Sequence, residues 1–134
     1  RCMGLNCAAL AHLIRGYDPA CIGAYIDPCH MVIEGEEFGV GVAMVREHLC
    51  LVALKDVSLV RKEKDGHGSA KHEMKLAGEG MVDWTAVFDE LKRVGFDGPL
   101  TAHCEFEVPK DRFEAAARHD AKFFRAQIER VRPV

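Results

Sequence analysis

Apolar residues follow two patterns along this chain, one with the period of a helix and one in short continuous runs. The helical pattern occurs in four segments, residues 5–15, 36–48, 84–94 and 113–131. The strand-like pattern occurs in four shorter segments, residues 22–26, 50–54, 73–76 and 100–106. The stretch 58–72 is polar and contains glycine, which predicts an exposed loop.

Local signals mark the ends of several predicted elements. Gly16 and Gly95 follow the first and third helical segments, where glycine commonly ends a helix. Asp83 is placed to cap the third helix, and Pro28 ends the first strand. The run 50–54 is apolar throughout, which is typical of a parallel strand buried on both faces.

The order of elements predicts an α/β fold with a parallel sheet, because helices and strands alternate. The strands begin about every 25 residues, close to the length of one βα unit in a (β/α)8 barrel. Four such units in 134 residues predict one domain, residues 1–134, with about four parallel strands and outer helices. A flavodoxin-like sheet is the alternative, although Gly78-x-Gly80 is only a fragment of a phosphate-binding loop.

The net charge and the lengths of the apolar runs exclude two classes of partner, nucleic acids and membranes. The formal net charge is −3, whereas a protein that binds nucleic acid by neutralising phosphates is normally basic, so nucleic acid is excluded as a partner. No apolar run approaches the ~20 residues that span a bilayer, which excludes a membrane span. The chain begins at Arg1, and we expect it to be a fragment or a processed chain.

The cysteines predict a cytoplasmic location. None of the six is paired at the C-x-x-C spacing of a zinc or redox site, and several lie in apolar segments. We expect them to be buried, reduced thiols. Their positions are Cys2, Cys7, Cys21, Cys29, Cys50 and Cys104.

Polar residues collect where the predicted strands end, which in parallel α/β folds is where chemistry occurs. They are Asp27, His30, Lys55, Asp56, Glu79, His103 and Glu105. Together they could hold a divalent ion or a polar substrate, or transfer a proton next to a carbonyl. His103 and Glu105 are expected on one strand face, because side chains alternate along a strand. The alternatives are structural: a turn cap at Asp27, a surface histidine at His30, and a strand-end charge pair at 55–56.

Four segments resemble the sugar phosphate isomerase/epimerase family, whose members have the xylose-isomerase-like TIM barrel. They are residues 26–30 (IDPCH), 54–57 (LKDV), 78–84 (GEGMVDW) and 95–100 (GFDGPL). The resemblance covers nearly the whole chain but matches only the C-terminal half of the barrel, from about helix 4 to helix 8. The family's glutamate on strand 4 has no counterpart in this sequence.

The resemblance implies roles for the strand-end residues. Asp27 corresponds to a metal-ligating aspartate, and His30 and Glu79 are expected to contact substrate. The family's histidine ligand on strand 6 is replaced by Ala53, while Lys55 is kept.

On strand 8 the family commonly has E-x-E, and here His103 stands at the first position and Glu105 at the second. These two and Lys55 are the expected catalytic residues. Any divalent site would be built from Asp27 and Glu105, whose oxygen ligands suit Mn2+ or Mg2+.

Two functions are therefore predicted. The first is isomerisation or epimerisation of a small polyhydroxylated sugar or keto compound through an enediolate, with a divalent metal assisting. The alternative is a catalytically incomplete barrel half that acts as a binding or assembly module. A half-barrel would leave its inward face, with Ala24, Val52 and Ala102, uncovered. We therefore expect a homo-oligomer or pairing with an N-terminal half-barrel.

Overall fold

A computed structural model describes residues 5–132. Its helices are α1 (Cys7–Ile14), α2 (Pro28–Glu34), α3 (Phe38–Val45), α4 (Trp84–Val94) and α5 (Phe113–Val131). Its strands are β1 (Ala24–Ile26), β2 (Leu49–Leu54), β3 (Asp56–Lys64), β4 (His67–Lys75) and β5 (Leu100–Ala102). Short 3-10 turns lie at Arg46–His48 and Lys110–Arg112. The predicted α/β class is confirmed.

The central sheet is parallel and has three strands in the order β1-β2-β5. β2 lies in the middle and pairs Ile26 with Val52 on one side and Leu100 with Val52 on the other. Val52 and Ala53 are completely buried, so both faces of β2 are covered towards its carboxyl end, whereas Leu51 is half-buried.

The predicted loop over residues 58–72 is wrong, because β3 and β4 form a long antiparallel hairpin there. Asp65 and Gly66 make its two-residue turn with φ angles of 55° and 77°, the backbone that a type I′ turn requires. Most hairpin side chains are exposed, so its strands carry no buried apolar stripe. The strand expected at 73–76 belongs to this hairpin, which leaves three parallel strands rather than four.

Helix α2 is an element that the hydrophobic pattern did not predict. Pro28 ends β1 because it occupies the first position of this helix, where its missing N–H costs nothing. Asp27 is the N-cap, and Gly35 ends the helix with φ 70°. The caps expected for α4, Asp83 and Gly95, are confirmed.

The hydrophobic core lies between the parallel sheet and the helices. Trp84 packs edge-on against Phe124, with ring centroids 4.8 Å apart, and joins α4 to α5. Ala24 and Val52 belong to this core and are fully buried, so the expectation that they lie on an uncovered face is wrong. Tyr25 and Leu51, paired in register, lie on the opposite side of the sheet, and Tyr25 is exposed.

The cysteines divide into two groups. Cys7 and Cys29 are buried, and burial raises the pKa of each thiol to about 12, so both stay protonated. The expectation of burial is wrong for Cys21, Cys50 and Cys104, which are exposed free thiols. Cys2 lies outside the described residues. Within residues 5–132, none of the helices is both long and apolar enough to cross a bilayer.

Candidate functional site

The carboxyl ends of β1, β2 and β5 open into a concave pocket of about 560 Å3. One wall is polar and carries Asp27, His30, Lys55, His103 and Glu105. The other wall includes the apolar side chains of Leu5, Leu10 and Met31. The structure thus brings together five of the seven strand-end residues predicted to form the site.

The Lys55 ammonium is the centre of the polar wall. Its Nζ donates to Glu105 Oε1 at 2.9 Å and lies 3.2 Å from Asp27 Oδ2. The Lys55 side chain is 7% exposed, because β2 is the middle strand. Burial by itself lowers the pKa of Lys55, but the hydrogen bond to Glu105 and the charge of Asp27 outweigh burial and raise that pKa. The ammonium is therefore charged throughout the neutral range.

Asp27 has two roles, and the alternative that it caps a turn describes one of them. Its Oδ1 accepts from the Cys29 backbone N–H at 2.9 Å and so caps α2. Its Oδ2 faces Lys55 and lies 3.7 Å from His30 Nε2. The His30 side chain is 60% exposed at the pocket rim, where it can turn towards a ligand.

His103 and Glu105 lie beyond the last strand, because β5 ends at Ala102 rather than continuing to residue 106. The strand predicted there is wrong, yet the two side chains still converge. A backbone hydrogen bond of 2.9 Å from Glu105 N–H to the His103 carbonyl turns the chain. His103 Nδ1 lies 3.5 Å from Glu105 Oε1. The hydrogen bond from Lys55 lowers the pKa of Glu105 despite some burial, so its carboxylate is ionised at neutral pH.

Tyr25 is a site residue that the sequence reasoning missed. Its hydroxyl lies 2.8 Å from His103 Nε2, and its ring lines the pocket. A carboxylate can only accept hydrogen bonds. A neutral His103 that carries its proton on Nδ1 would therefore donate to Glu105 and accept a hydrogen bond at Nε2 from the Tyr25 hydroxyl. The sequence feature that could have identified Tyr25 is its position two residues before Asp27, since alternate strand residues face the same side.

With Asp56, Glu79 is one of the two predicted site residues that the structure places outside the pocket. It is exposed in the turn that follows β4 and does not line the pocket.

The turn that follows β4 is held by Asp56, a buried carboxylate that accepts five hydrogen bonds. The donors are the backbone N–H groups of Val57, Gly78, Gly80 and Val82 and the indole N–H of Trp84. A side chain at Gly80 would overlap the Asp56 carboxylate. Residues 78–84 are therefore a structural motif built around Asp56.

The donors present do not fit the divalent metal that the resemblance implies. Both carboxylates proposed as ligands, Asp27 and Glu105, already bind the Lys55 ammonium. Ala53 is buried where the family has a histidine and offers no ligand atom. Across residues 5–132, no three His, Cys, Asp or Glu side chains are grouped as a metal site.

Residues 2–127 match the family model of the xylose isomerase-like TIM barrel, and the chain belongs to that family. The resemblance and the predicted partial barrel are thereby confirmed. Proteins of curated function give no match to this chain.

Solved structures agree with the fold. An L-ribulose 3-epimerase superposes with a TM-score of 0.68 at 20% identity, over 95% of this chain and 43% of that chain. A xylose isomerase domain protein from Planctomyces limnophilus gives 0.72 at 19% identity, over 94% and 44%. Another from Alicyclobacillus acidocaldarius subsp. acidocaldarius gives 0.58 at 24%, over 81% and 38%. The chain thus spans less than half the length of each of these proteins.

Proposed function

We propose that the pocket binds a small polyhydroxylated sugar or a related keto compound and isomerises or epimerises it. The observation that carries this proposal is the Lys55 ammonium held between the carboxylates of Asp27 and Glu105, with His103 beside them. A base and a cation next to each other are what proton transfer beside a carbonyl requires. Membership of the xylose isomerase-like family and the likeness to an L-ribulose 3-epimerase support the substrate class.

In the proposed reaction, the Glu105 carboxylate removes the proton from the carbon next to the substrate carbonyl. The C–H electron pair becomes the carbon–carbon π bond, and the carbonyl π pair moves to oxygen to give an enediolate. Lys55 has three N–H donors, two of which face Asp27 and Glu105. The third is left for the developing oxyanion.

His103 completes the transfer in this scheme. Its imidazole, held between Tyr25 and Glu105, can move a proton between the two enediolate oxygens. Return of the carbon-bound proton to the neighbouring carbon gives the isomer, and return to the opposite face of the same carbon gives the epimer. His30 at the rim is proposed to bind substrate hydroxyls, whereas contact of Glu79 with substrate remains a prediction from the family resemblance.

A divalent cation, Mn2+ or Mg2+, also remains a prediction from that resemblance. It would need the oxygens of Asp27 and Glu105 that Lys55 now binds. The scheme above therefore has no step through a metal. A cytoplasmic location likewise remains a prediction.

A binding or assembly module is the second candidate function. It is favoured by the sheet topology, since within residues 5–132 β1 and β5 each pair with β2 alone and leave two strand edges open. A barrel half of this kind would complete its sheet with another chain or segment.

Proton exchange from solvent tests the proposed function without knowledge of the product. The protein is incubated in D2O with a panel of ketoses and aldoses, and loss of the C–H signal next to the carbonyl is followed by proton NMR. We expect exchange in the wild type and a loss of roughly 100-fold in Glu105→Gln. Glu107→Gln, at an exposed glutamate two residues further on, is the matched control. Equal exchange in Glu105→Gln and wild type would contradict the mechanism, and binding of a sugar without exchange would favour the module.

A further inference from the structure

We infer that the Lys55 ammonium is the resident cation of this pocket and occupies the position between Asp27 and Glu105 that a divalent metal would take. This inference goes beyond the proposed function and does not depend on it, because it concerns which cation the two carboxylates bind. It follows from the positions of three charged groups.

The first step is the geometry of the ammonium. Nζ is 2.9 Å from one carboxylate and 3.2 Å from the other, so a single positive charge bridges two negative ones. The side chains of Lys55 and Asp27 are 7% and 14% exposed, so water does little to screen the pair. A divalent ion placed between the same oxygens would lie against the ammonium, and like charges at that separation repel strongly in a partly buried site.

The second step concerns the remaining donors of the pocket. The other oxygen of Asp27 accepts from the Cys29 N–H at the start of α2. The His103 ring has Tyr25 at one nitrogen and Glu105 at the other. Each of these groups thus has a partner within the chain, and a metal would have to displace several contacts to gain a full coordination shell.

The third step is the register of β2. Ala53 lies in β2, and Lys55 directly follows the strand two residues further on, where the alternation of side chains turns both to the same side. Ala53 is completely buried and supplies no ligand, whereas Lys55 supplies the positive charge. This strand end thus supplies a positive charge to the pocket and no metal-ligating atom from position 53.

The inference predicts that removing the ammonium creates a divalent site. We expect no saturable Mn2+ binding by wild type up to millimolar concentration, measured by calorimetry and by the EPR signal of free Mn2+. Lys55→Met leaves two uncompensated carboxylates, and we expect it to bind Mn2+ at least tenfold more tightly than wild type. Adding Asp27→Asn to Lys55→Met should abolish that binding.

Two further variants separate charge from packing. Lys55→Arg keeps a cation and should bind Mn2+ no better than wild type. Lys75→Met removes a half-buried lysine that pairs with Glu73 outside the pocket, and it should also behave as wild type. Lys55→Gln, which keeps a hydrogen-bond donor but no charge, replaces Lys55→Met where circular dichroism shows the latter to be unfolded.

Stoichiometric Mn2+ binding by wild type that is lost in Asp27→Asn would overturn the inference. Equal Mn2+ affinity in wild type and a folded Lys55→Met or Lys55→Gln would overturn it as well. The readout is metal binding rather than turnover, so failure of this inference is distinguishable from failure of the proposed reaction.

Discussion

Lys55 and Asp56 are neighbours in the chain, yet their side chains bind entirely different parts of the molecule. Lys55 enters the pocket and binds the carboxylates of Asp27 and Glu105. Asp56 is 1% exposed and accepts five hydrogen bonds from the turn and helix start that follow β4. One dipeptide therefore supplies both the central charge of the candidate site and the main polar anchor of the surrounding fold.

Asp56→Asn is expected to destabilise the protein by more than about 3 kcal/mol, because an amide would turn a donor towards N–H groups that need an acceptor. The free energy of unfolding in urea measures this. Asp97→Asn, at an exposed aspartate, is the control and should change stability by less than about 0.5 kcal/mol. Similar stabilities for the two variants would show that the five hydrogen bonds contribute little.

Much of the helical and parallel part of the fold could be predicted, because burial of one face leaves a periodic pattern. Helix α5 has the predicted bounds, Phe113–Val131, and β2 follows its apolar run. The hairpin could not be found in this way, since most of its side chains are exposed. Its signal was local chemistry at the Asp65-Gly66 pair, a favoured two-residue turn.

The convergence of site residues was predictable for a topological reason. The carboxyl ends of parallel strands meet at one edge, which brings Asp27, Lys55 and Glu105 together from three strand ends. Glu79 was expected with them because β4 was interpreted as a parallel strand, and the hairpin removes that reason. The ion pairs themselves depend on side-chain geometry beyond Ala102, where the strand ends early, and no sequence pattern specifies that geometry.

Asp120 predicts a pH effect on stability. It is 2% exposed, and burial raises the pKa of its carboxyl although the Ala77 N–H donates to it at 2.9 Å. Because the native pKa is raised, the protonated Asp120 carboxyl contributes fully to stability below the pKa that it has in the unfolded chain. That contribution is lost as the pH rises through the native pKa. Asp120→Asn should therefore gain stability relative to wild type as the pH rises from about 4 through the raised native pKa of Asp120.

Thermal unfolding of both proteins across that range measures the effect. Asp111→Asn, at an exposed aspartate close to the start of α5, is the control. A stability difference between Asp120→Asn and wild type that stays constant with pH would contradict the assignment.

Gly66→Ala should weaken the hairpin turn by about 1 kcal/mol, the usual cost of a left-handed backbone for a residue with a side chain. A Cβ at Gly66 would meet nothing within 4 Å, so the cost is conformational rather than steric. Gly68→Ala is the matched control, because Gly68 does not have a positive φ and the nearest atom to its Cβ would be Arg61 Nε at 3.7 Å. Protease cleavage within β3–β4 should rise in Gly66→Ala and stay unchanged in Gly68→Ala. Equal cleavage rates would mean that the turn backbone is not what holds the hairpin.

The open side of the parallel sheet predicts association. Within residues 5–132, β1 and β5 each pair with β2 alone, so both present a strand edge. The sheet side that faces away from the core carries Tyr25, which is 47% exposed, and its half-buried register partner Leu51. Unpaired edges beside an exposed aromatic side chain favour pairing with another chain. We expect light scattering at micromolar concentration to show a dimer or larger species.

Leu51→Lys should shift the equilibrium towards monomer, whereas Val40→Lys, at an exposed position on α3, should not. A compact, stably folded wild-type monomer at that concentration would show that this sheet side needs no cover.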